Sequence, residues 1–218
     1  MLSQKEVVEK LRSPTAYSHE VEEKIVVVET NISWVFLTGK FAYKMKKSIK
    51  FGDVLDFTTL KKRFESVKSE VVLNKRMAPD IYIGMEMVDF QGHVGTTSDP
   101  VEYLVKMIQL PQSSLLLNIL KEKGAIDEEI LQKIADEVSL LHQKNIVKPN
   151  FSIFDSIYEK WDENFRTTKT YSGYPFDARL EKRVYSFLEE HRKLFEIRKT
   201  EGKIVDGHGD LIVGNIFY

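Results

Sequence analysis

Cysteine is absent from the 218 residues, which excludes disulfides, thiolate metal sites and a cysteine nucleophile. That absence suits a reducing compartment, and a cytoplasmic protein is the expectation. Charge of one sign is missing as well: 32 Lys and Arg stand against 33 Asp and Glu, a formal net charge of −1. No global field draws the chain to nucleic acid or to an anionic membrane, so any anion site must be local. The longest apolar runs, such as IVVV at 25–28, are far too short to cross a bilayer. The charged N-terminal stretch MLSQKEVVEKLRSP lacks the apolar core of a signal peptide, so a soluble protein without a membrane partner is expected. Neither a Walker A sequence nor a glycine-rich loop of the protein-kinase type occurs.

Apolar residues at 42% and charged residues at 30% give the balance of a folded chain, long enough for one large domain or two lobes. Val7, Val8 and Leu11 recur at near-helical spacing before Pro14. From residue 23 to residue 51 the chain is rich in β-branched and aromatic residues, which predicts two or three antiparallel strands with Gly39 in a tight turn. On the strand after that turn, Ala42, Lys44 and Lys46 share one face and Tyr43, Met45 and Lys47 the other. Leu60, Phe64, Val67 and Val71 then predict an amphipathic helix capped by Thr58 and ended by Pro79, with Glu70 bordering the buried stripe. Two more strands, IYIGMEMVDF and VEYLVKMIQL, flank a polar turn at 91–99. Beyond Pro111 helices predominate: 115–120 ending at Gly124, a helix capped by Asp127, SIFDSIYEKWDENF, and ARLEKRVYSFLEEHRKLFEIRK after the break YSGYPFD.

The final stretch, DGHGDLIVGNIFY at 206–218, carries candidate chemistry. Phosphoryl transfer to an alcohol needs a carboxylate to orient the hydroxyl and accept its proton, and oxygen ligands for Mg²⁺. Asp210 and Asn215, five residues apart on a predicted loop, are residues of those types, and Gly209 permits backbone conformations that other residues resist. A solvated turn, with Asp210 capping a local backbone group and Asn215 left-handed, fits those 13 residues equally well. Kinase-like chemistry also needs a strand lysine for the phosphates and a helix glutamate to hold it. AYKMKK followed by a helix bearing Glu70 supplies both, in the right order along the chain.

ISWVFLTG, AYKMKK, LDFTTLKKR, EVVLNKRMAPDIYIG and HGDLIVGNI together resemble the aminoglycoside phosphotransferase superfamily. The likeness is to an uncharacterised bacterial and archaeal branch that often carries an added P-loop kinase domain. It covers residues 25–218 and is densest over 31–84. It implies an α+β, two-lobed protein-kinase-like fold, with an antiparallel-sheet N-lobe at 1–107 and a helical C-lobe at 108–218. It also implies ATP- and Mg²⁺-dependent transfer to a hydroxyl of a small molecule. Matched by position, Lys44 holds phosphates, Glu70 orients it, Asp210 is the catalytic base, Asn215 is a Mg²⁺ ligand and His208 supports the loop. Lys46, on the same strand face, can exchange roles with Lys44. VKMIQLP at 105–111 matches the hinge that would meet adenine.

Two departures from the family stand out. Ile212 occupies the place of a second histidine, and the chain ends before a further Mg²⁺-binding Asp. The expectation is therefore a truncated C-lobe that is weak or inactive by itself. Its exposed apolar surface would invite self-association or a partner that completes the lobe. A non-catalytic nucleotide-binding or interaction module is the alternative. The acceptor is not readable, and the superfamily likeness does not imply aminoglycosides.

Other features read more simply. KMKKSIK at 44–50 is expected as a solvated strand edge and not a nucleic-acid patch. Glu70 has an alternative as an exposed helix residue paired with Lys68, Asn74 or solvent. His142 and His191 are expected near helix ends without metal-ligand spacing. Phe151, Phe154, Tyr158, Trp161 and Phe165 are expected in a core.

Overall fold

Ser3 starts the first helix, α1 (Gln4–Leu11), through a reciprocal cap. Its hydroxyl accepts from the Glu6 N–H, and the Glu6 carboxylate accepts from the Ser3 N–H at 2.7 Å. Val7, Val8 and Leu11 are buried, as their spacing predicts. The computed structural model describes residues 2–21, 24–52, 55–171, 173 and 175–218. Residue 1, residue 23 at the head of the strand-rich stretch, and residues 172 and 174 of the expected break lie outside the described residues. The chain divides into two units, Met1–Ala125 with Ile216–Tyr218, and Ile126–Asn215.

The first unit is α+β. Strands β1 (Val26–Glu29), β2 (Ser33–Leu37) and β3 (Phe41–Lys46) run antiparallel, and Gly39 turns the chain between β2 and β3 with φ 92°. Lys50–Phe51 (β4) and Leu55–Asp56 (β5) form a separate two-stranded ribbon. Helix α2 (Leu60–Asn74) precedes β6 (Tyr82–Val88), β7 (Val94–Gly95) and β8 (Glu102–Ile108). Strand β8 inserts between β3 and β6, so the sheet order is β1-β2-β3-β8-β6-β7. The short β7 interrupts what the sequence suggests is one continuous turn at 91–99. Phe36, Tyr43, Met45, Val88 and Leu104 form a core with the apolar side of α1. Helix α2 lies against β8 and β6 with Val67 fully buried.

Helix α2 differs from its expected bounds at both ends. Thr59, not Thr58, is the N-cap, accepting from the Lys62 N–H at 3.2 Å, while the Thr58 hydroxyl turns back to Asp56 at 2.6 Å. The helix stops at Asn74, before Pro79, where the Arg76 N–H turns to the Leu73 carbonyl and the Met77 N–H to the Asn74 carbonyl, tighter i to i−3 bonds. Helix α3 (Leu116–Lys123) ends at Gly124 with φ 74°.

The second unit is helical: α4 (Glu128–Lys144), α5 (Ile153–Thr170), α6 (Ala178–Glu190) and α7 (Arg192–Thr200). Ile130, Leu141, Ile153, Phe154, Phe165 and Leu188 are its buried apolar residues. The expected aromatic core is only partly such. Phe154 and Phe165 are buried and Tyr158 stacks on Tyr185, but Phe151 precedes the helix and Trp161 lies on its outer side, at 55% and 39% exposure. The single helix expected over 178–199 is two, because His191 leaves the helical region (φ −105°, ψ 10°) and its Nδ1 pairs with the Phe187 carbonyl at 2.8 Å. No described helix is long and apolar enough to cross a membrane.

Candidate active site

Lys44 lies in mid-β3, opposite Val35 of β2 and Val105 of β8, so the sheet fixes its position from both sides. The two-residue period puts Lys46 on the same face, where helix α2 presents Glu70. Lys44 Nζ reaches Glu70 Oε1 at 2.8 Å, and Lys46 Nζ reaches Glu70 Oε2 at 2.5 Å. The reading of Glu70 as an exposed residue is therefore corrected: its side chain is 12% exposed and both carboxylate oxygens are engaged. Lys46 is likewise not part of a solvated strand edge, since it is buried with its ammonium 5.4 Å from the Phe57 ring centre.

Two ammonium groups on one carboxylate leave a net positive charge at a partly buried place, which suits an anion. Burial opposes Glu70's ionised form, but the charges of Lys44 and Lys46 outweigh it and hold the carboxyl below the usual range. Burial pushes Lys46 below the usual lysine range; Lys44's charge adds to this and Glu70's opposes it. Tyr82 is pushed up to about 12 by burial and by the charge of Glu70.

Sequence reasoning missed a second buried ionic network in the same unit. Arg63 donates from Nε to both oxygens of Glu102 at 2.9 Å, and from a terminal nitrogen to the Phe57 carbonyl at 2.9 Å. Gln4 donates to Glu102 at 2.7 Å and to the Lys46 carbonyl at 2.9 Å, tying α1 to the end of β3. A signal was available. Arg63, Val67 and Glu70 follow i, i+4, i+7, so the buried stripe of α2 carries two charges, and each needs a partner.

The turn ETNIS at 29–33 is built by Thr30. Its N–H and hydroxyl both donate to the Ser33 carbonyl, at 2.9 and 3.0 Å, and its oxygen accepts from the Ser33 N–H. At the strip expected to serve as a hinge, residues 105–108 pair within the sheet and the Gln109 N–H goes to the Lys40 carbonyl at 3.1 Å.

His208, Asp210 and Asn215 belong to the second unit, on a loop without helix or strand. The Asn215 amide donates to Asp210 Oδ2 at 2.9 Å and to the Asp210 carbonyl at 3.1 Å. The Asp210 N–H donates to His208 Nδ1 at 3.3 Å, and Gly209 takes φ 78° to allow the turn. Asn215 is not left-handed, since no described non-glycine residue has positive φ. A carboxylate and an amide side chain within hydrogen-bond reach are the hard oxygen donors that Mg²⁺ accepts. They are two donors only, and no group of three or more His, Cys, Asp or Glu converges elsewhere among the described residues. His142, in the last turn of α4, and His191 lie at helix ends as expected.

No protein-family model matches the chain, and no solved structure matches it significantly. It is similar to the uncharacterised proteins Mb2027c of Mycobacterium bovis and Rv2004c of Mycobacterium tuberculosis, at 29% identity over 214 residues and 93% of this chain. The chain spans 41% of the length of those relatives.

Proposed function

We propose that this chain is the nucleotide-binding and catalytic-loop part of a kinase with a protein-kinase-like, aminoglycoside-phosphotransferase-like fold. It moves the γ-phosphoryl group of ATP to a hydroxyl of a small molecule. The observation that carries this reading is the Lys44–Glu70–Lys46 cluster: the strand lysine and helix glutamate expected from order along the chain are in contact at 2.8 Å, with a second lysine leaving positive charge to spare.

Lys44, the more exposed lysine, is the one that meets phosphate oxygens, and Glu70 sets its direction. Asp210 orients the acceptor hydroxyl and takes its proton as the new O–P bond forms and ADP leaves. Asn215 holds one oxygen of that carboxylate, leaving the other to face the hydroxyl. His208 supports the loop by accepting the Asp210 N–H, a role in position and not in proton transfer. Asn215 is the residue that would hold Mg²⁺, through its amide oxygen, and the ion when bound would neutralise charge on the phosphates.

A second reading, a nucleotide-binding module without turnover, is favoured by one contrast. The lysine–glutamate cluster is packed, whereas His208, Asp210 and Asn215 are all exposed. An assay of ADP formation from Mg²⁺–ATP over a panel of polyols, sugars and amino alcohols separates the two. Turnover abolished by Asp210→Asn supports the kinase. ATP binding with no turnover for any acceptor, both in this chain and in the longer mycobacterial relative Rv2004c, favours the module.

A further inference from the structure

The two lysines on Glu70 differ in ways that divide their work, and this inference rests on the nucleotide reading above. Lys46 is 7% exposed and Lys44 is 28% exposed at the side chain. Lys46 also sits over the Phe57 ring, and its own carbonyl is pinned by Gln4, which is held in turn by Glu102. Lys44 lacks that enclosure on its open side. Across the ladder from Lys46, Ser33 is fully buried, so this end of the cluster faces protein and not solvent.

We infer that Lys46 is a positioning residue, the stationary counter-cation of Glu70, and that Lys44 is the lysine released to an incoming phosphate. A buried carboxylate stripped of its only cation would be costly, which would tether a lone lysine to it. With Lys46 fixed on Oε2, Glu70 keeps its charge and orientation while Lys44 moves between Oε1 and the phosphate. The net charge of the cluster is +1 before binding, and the anion offsets it afterwards. No covalent step is involved.

Two measurements on the 218-residue chain test this. Without nucleotide, urea unfolding is compared for Lys44→Met, Lys46→Met, Glu70→Gln and the two lysine–glutamate double variants. Lys46→Met is expected to raise the unfolding constant by about 10-fold, since Glu70 keeps only the more exposed Lys44, with most of that loss recovered in Lys46→Met/Glu70→Gln. Lys44→Met is expected to raise it less than about 5-fold, because the group is partly exposed and Glu70 retains Lys46. Equal effects, or the reverse order, overturn the assignment. Should Lys46→Met fail to fold, lysine ammonium NMR of the unaltered chain decides. Added ATP should shift the Lys44 Nζ signal and leave the Lys46 Nζ signal in place and slow to exchange with water. A shift at Lys46 as large as that at Lys44 overturns the proposal. If ATP moves neither while the stability order holds, the release to nucleotide falls together with the nucleotide reading, and the pairing of Lys46 with Glu70 stands.

Discussion

Arg63→Met should be the most damaging conservative change in the first unit. Arg63 and Glu102 are 7% and 1% exposed, and methionine fills nearly the same volume without the charge. Removing one partner of a buried ion pair costs about 3–5 kcal/mol, because the other charge is left uncompensated. Glu102 keeps two donors, Gln4 at 2.7 Å and the Tyr103 N–H at 3.1 Å, which places the loss near the lower end. A loss of about 3 kcal/mol is a large share of the roughly 5–15 kcal/mol that holds a typical domain, and should lower the midpoint by about 10 °C. The chain has 2 tryptophans, Trp34 in β2 and Trp161 in α5, so fluorescence in a Trp161→Phe background reports the first unit alone. Urea unfolding followed through Trp34 gives the difference directly. Arg63→Met/Glu102→Leu should recover most of the loss, since an apolar pair replaces the ionic one. A single-variant loss under about 1 kcal/mol, or a double variant no better than the single, would refute the reasoning that an orphaned carboxylate sets the cost.

Acid should weaken the first unit through Glu70. Its folded-state carboxyl is held below the unfolded value of 4.5, so its contribution is fully present above that pH and is lost as pH falls through the lower folded value. Glu70→Gln should therefore lose less stability than the unaltered chain between pH 5 and strongly acidic solution, as urea midpoints across that range would show. Thr59→Ala should cost about 1 kcal/mol by orphaning the Lys62 N–H, and Thr59→Ser should retain most of the cap. In an alkaline absorbance titration Tyr82 should ionise near 12, and Glu70→Gln should bring it lower by removing the neighbouring charge.

The sheet and helices were legible because their periods are strong. Alternation placed Lys44 and Lys46 on one face, and the helical period placed Glu70 at the border of the buried stripe of α2, where the fold brings it onto both lysines. Where the reading slipped, a local hydrogen bond decided what pattern could not. Adjacent threonines at 58 and 59 compete for one cap, and Asp56 takes the first. At His191 the ring caps a carbonyl and splits a continuous pattern in two. The insertion of β8 between β3 and β6 was not legible, because strand order depends on contacts between distant segments. For the same reason Glu102 and Gln4, 98 residues apart, gave no sign of meeting. Periodicity set Glu70 at the border of a buried stripe, but Arg63 went unread, and only the fold shows which residues answer the two charges.

The most direct test of nucleotide binding at the lysine–glutamate cluster is the thermal unfolding midpoint against ATP, with and without Mg²⁺, for the unaltered chain and Lys44→Ala. A ligand that binds only the folded state adds about 2.7 kcal/mol at roughly 100 times its dissociation constant. The midpoint should rise with ATP in the unaltered chain and stay flat in Lys44→Ala. No rise at millimolar ATP, or an equal rise in both proteins, would contradict the assignment of Lys44 to the phosphates.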